Sequence, residues 1–177
     1  MHYLFLGIAQ WIIKHLWIEE KKITIEQLKI VQERCELLHL PTDFGRILTK
    51  IAMGEGFSGF TTDQWKNFIM IFAIPTMWDM LQECDRKILE NFVRACNLLV
   101  CYIITTKSLQ EAHDCLLNVV LTIEQYYGKE KICPNLHLCL HLAECCLDYR
   151  PLYSFWCFSF ERMNRILDKK VLLRFSK

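Results

Sequence analysis

Apolar residues recur at three- and four-residue spacing along almost the whole chain, and this periodicity limits the possible folds more than any other feature. Such spacing places apolar side chains on one face of a helix and leaves the opposite face to water. With six glycines and four prolines in 177 residues, turns are too few for a many-stranded sandwich. A hydrophobic share of 53% supplies material for a buried core. The expectation is one all-α domain of about seven to eight helices, with no strand, internal repeat or low-complexity linker.

Local chemistry sets the boundaries. The first helix is predicted over Tyr3–Glu19. Thr24 starts the second, because its hydroxyl can cap the turn while Gln27 reaches back. That helix runs to about Leu38 and stops before Pro41. Residues 41–60 read as irregular, since Gly45, Gly54, Gly56 and Gly59 cluster there. Thr61 or Thr62 then caps a helix through Ala73, ended by Pro75. A short helix is expected around Thr76–Leu81 and a long one from about Asp85 to Thr105. Ser108 with Glu111 has capping-box spacing and opens a helix to Tyr127, where Gly128 is a usual stop. Pro134 fits the first position of a helix to about Leu147. A break at Arg150–Pro151 precedes a last helix, about Ser154–Leu167.

Ten cysteines lie mostly inside apolar periodic stretches and form no CxxC pair, which fits buried thiols in a reduced, intracellular protein. The apolar start lacks a basic leader and is interrupted by Gln10, Lys14 and His15, so it does not read as a signal peptide. No apolar run reaches the roughly 20 residues that span a bilayer, and no membrane partner is expected. A net charge of +1 gives no general pull toward nucleic acid. From Glu161 onward, however, six basic residues face two acidic ones. This tail is either a solvated end or a DNA contact.

Three constellations could carry chemistry. His137 and His141 lie four apart, a spacing that lets two imidazoles chelate one metal or simply share a half-buried face. Cys133 and Cys145 continue the step, but twelve residues of helix extend about 18 Å, too far for one ion. The aromatic block Tyr153, Phe155, Trp156, Phe158 and Phe160 leads into Glu161 and Arg162. It is a core stripe whose Glu is either surface-paired or projected into a site. Lastly, FSGFTTDQWKNF (57–68) reads as a capped helix start, with Asp63 favouring the helix dipole and Trp65 packing it. A Gly-rich phosphate loop, a nucleophile elbow and zinc-finger spacing are all missing from the sequence.

Three segments together carry a resemblance: MHYLFLGIAQ, then FGRILTKIAMGEGFSGFTTDQWKNF, then NLHLCLHLAECCLDYRPLYSFWCFSFERMNRIL. In this order and spacing they resemble the C-terminal half of transposases of CACTA (En/Spm)-type elements, over residues 1–167. Residues 168–177 form a divergent basic tail. The resemblance implies a helical insertion of an RNase H-like catalytic domain, without the RNase H-like sheet. It implies cut-and-paste transposition by two Asp and one Glu holding Mg²⁺ or Mn²⁺, in a nuclear protein that acts on DNA. Glu161, in Phe160-Glu161-Arg162, matches the third carboxylate. His137 and His141 match histidines that in related recombinases join a CxxC to bind structural zinc.

The family's second Asp precedes the Met-His that opens this chain, and the first Asp, the sheet and the CxxC lie further upstream. Strand cleavage uses two metal ions about 4 Å apart, and one Glu cannot hold both. The expectation is therefore a truncated transposase-derived protein, inactive alone and without metal. The alternatives are a domesticated module binding DNA, itself or a full-length transposase, and a translated remnant without function.

Overall fold

The computed structural model describes residues 3–38, 50–54 and 56–149, and in them the expected all-α architecture is found. Seven helices and no strand occur among the described residues. The first, α1, spans 3–18 and contains two π-helical segments, Tyr3–Ala9 and Ile12–Ile18. Its widening has a reason in the sequence. The buried residues are Leu4, Phe5, Ile8, Ala9, Ile12, Ile13, Leu16 and Trp17, a pair every four residues. In an α-helix each four-residue step drifts about 40° around the axis. The wider i→i+5 turns counter that drift and hold all eight residues against the core.

Helix α2 (Ile25–Leu37) begins as expected, with Thr24 and Gln27 in a reciprocal capping box. Helix α3 runs over 62–77 and carries a second capping box between Thr61 and Gln64. Within it, Phe68–Phe72 is π-helical and Ala73–Met77 returns to α. Pro75 therefore does not end this helix. An α-helix would set the carbonyl four residues back against the proline ring. The π turn shifts that register: the Ala73 N–H donates to Phe68 O, five residues back. A single 3₁₀ turn, Trp78–Met80, then stands where a short helix was expected.

Helix α4 (Glu83–Leu99) stops about six residues earlier than the apolar pattern implied. The cause is Thr105, which is itself the N-cap of α5 (Thr106–Tyr127) and forms its capping box with Ser108. Ser108 is thus the inner partner of the cap. Glu111 instead reaches across to Arg94 on α4, 2.6 Å away. Gly128 ends α5 as expected, at φ 92°.

Pro134 opens α6 (Pro134–Cys139) as expected, but that helix does not continue to Leu147. Leu140 and His141 form a tight turn in which their N–H groups reach only three residues back, to His137 and Leu138. Helix α7 (Leu142–Tyr149) starts after it.

One core joins these elements. Helices α4 and α5 form its central antiparallel hairpin, and α1 packs across α3 and α6. Phe57, Phe60, Trp65 and Phe68 make an aromatic cluster at its edge, with Phe57 and Trp65 stacked at 4.9 Å. The reading of 57–68 as a capped helix start packed by Trp65 holds. Gly56 is required there: at φ 92° a Cβ would stand 2.9 Å from Leu28 Cδ1 and 3.0 Å from Ile18 Cδ1.

Candidate functional site

The paired histidines sit at the α6–α7 turn. Pro134 presets the first turn of α6, and Leu136 and Cys139 anchor it in the core. His137 projects from its exposed side, and His141 occupies the turn itself. Their rings are neighbours, 5.5 Å apart and edge to face. The His141 Nδ1 lies 3.0 Å from Glu144 Oε2. The break in the helix means that Cys133 and Cys145 do not extend a single four-residue ladder. Cys133 is half-buried and stands near Tyr3 and Cys139.

Structural zinc takes four ligands. Among the described residues no three His, Cys, Asp or Glu side chains gather around one point. Two imidazoles are half of such a set, so the described residues do not fit a structural zinc site. Glu161 and the aromatic block before it lie outside the described residues, as do the predicted last helix and the basic tail. No helix among the described residues is long and apolar enough to cross a membrane.

A second constellation escaped the sequence reading. Asp85 is wholly buried in the first turn of α4. Trp17 Nε1 donates to its Oδ1 at 2.9 Å, and Lys22 Nζ approaches Oδ2 at 3.2 Å. The Tyr127 hydroxyl also donates to Oδ1. The same Lys22 ammonium lies 4.0 Å from the Tyr127 ring centroid, a cation–π contact. A signal for this was present: Asp85 occupies the register of Ile88, Leu89 and Phe92, the apolar face of α4. A carboxylate on that face must find donors in the core. With three donors and no exposure, Asp85 is a structural tie between α1, α4 and the end of α5. It has no open face for a substrate.

Burial and the hydrogen bond to Asp85 push the Tyr127 phenol well above its ordinary range. Burial lifts the Cys35 thiol to about 12 and, with Cys133 nearby, the Cys139 thiol to about 12. It also raises the Cys96 thiol well above its ordinary range. In the unfolded chain these groups ionise near their ordinary values, about 8.5 for thiols and about 10 for phenols. Raised folded pKa values mean that the stabilisation is complete below those values and is lost as pH rises through the folded ones. Urea midpoints under reducing conditions should hold steady up to about pH 8 and fall progressively above it. A midpoint unchanged at pH 10.5 would contradict this, and Tyr127→Phe should remove part of the loss above about pH 10.

No protein-family model, no curated protein and no solved structure matches this chain.

Proposed function

We propose that this chain derives from the C-terminal half of a CACTA (En/Spm)-type transposase catalytic domain and is inactive in strand cleavage by itself. The observation that supports the reading is spatial. The three resembling segments are far apart in sequence, yet parts of all three meet at α1. The opening segment contributes the first half of α1, and the middle segment contributes the start of α3, which packs against it. The closing segment begins with α6, where the Tyr3 hydroxyl donates to Asn135 O. At Gly7 a Cβ would stand 2.8 Å from Asn135 Nδ2, so the small residue permits the approach of α6. A shared pattern whose pieces pack on one another is what an inherited core requires.

In this reading Glu161 is a vestigial third carboxylate, which alone cannot hold two divalent ions. Some of the cations on the described surface pair with carboxylates. Arg34 pairs with Asp79 at 2.5 Å, Arg94 with Glu111 at 2.6 Å and Lys87 with Glu83 at 3.0 Å.

The purified chain with supercoiled plasmid and Mg²⁺ or Mn²⁺ is expected to produce no nicked product. A family transposase whose corresponding segment is replaced by residues 1–167 should nick DNA and lose that activity on Glu161→Gln. Nicking by the chain alone, abolished by Glu161→Gln, would overturn the claim of inactivity. A folded chimera without activity would count against the ancestry.

A further inference from the structure

We draw no further inference here: the strongest candidate, the open cleft between the end of α1 and the start of α2, lined by Ile18, Ile23 and Ile25 and by lysines and glutamates whose charges cancel, carries nothing because nothing in the structure shows what covers it.

Discussion

Asp85→Ala should lower the unfolding free energy by about 3–5 kcal/mol, the usual cost of removing one partner from a buried charged pair. The loss is not that of a single contact. The Trp17 N–H and the Tyr127 hydroxyl would both lose their acceptor inside the core, and the Lys22 ammonium would lose its counter-ion. For a chain of this length the melting temperature should fall by about 10 °C. Asp85→Asn keeps the shape and an acceptor for Trp17 but removes the charge facing Lys22, so it should cost less. Denaturant titrations of both variants decide the matter. If each lies within about 0.5 kcal/mol of the parent chain, the carboxylate is not what ties α1, α4 and α5 together.

Trp65→Ala should cost a similar amount, about 3–5 kcal/mol, by leaving a cavity that the neighbouring rings cannot fill. Trp65 is buried and stacked on Phe57, with Phe60 and Phe68 edge-on around the pair. Phe57 also holds φ at +50°, a left-handed conformation that a bulky residue adopts only when its packing compensates. Removing Trp65 takes away the ring stacked on Phe57 and should release that turn. Near-UV circular dichroism should therefore lose more signal than one indole accounts for. Trp65→Phe preserves an aromatic face and should retain most of the stability. A Trp65→Ala variant that melts like the parent would show that the cluster is ornamental.

The elements that were legible in the sequence are those decided by neighbouring residues. Thr24 with Gln27, Thr61, Gly128 and Pro134 each act within one turn, and each sits where its local chemistry places it. The misplaced boundaries depend on more distant competition. Helix α4 has the apolar spacing to run on, but Thr105 is claimed by the cap of α5. Pro75 breaks an isolated α-helix, yet the π turn before it admits the ring. His137 and His141 have chelating spacing on paper. The rings remain neighbours, 5.5 Å apart, across the turn at Leu140–His141, with His141 Nδ1 3.0 Å from Glu144 Oε2. The Asp85 tie was half legible: its register marked it as inward-facing, but its donors come from residues 68 and 42 positions away. Glu161 belongs to a segment outside the described residues, and its role rests on the resemblance alone.

The distribution of those donors along the chain has a consequence for synthesis on the ribosome. Trp17 and Lys22 emerge first, Asp85 follows, and Tyr127 comes last. Until Tyr127 leaves the exit tunnel, the Asp85 carboxylate cannot be fully partnered, and α1 has no complete partner to close upon. The α4–α5 hairpin can form from local contacts as it is made, whereas α1 must wait for a tyrosine more than a hundred residues downstream. A segment made before its partners is thus locked late, and its paired apolar residues are the surface a chaperone would meet.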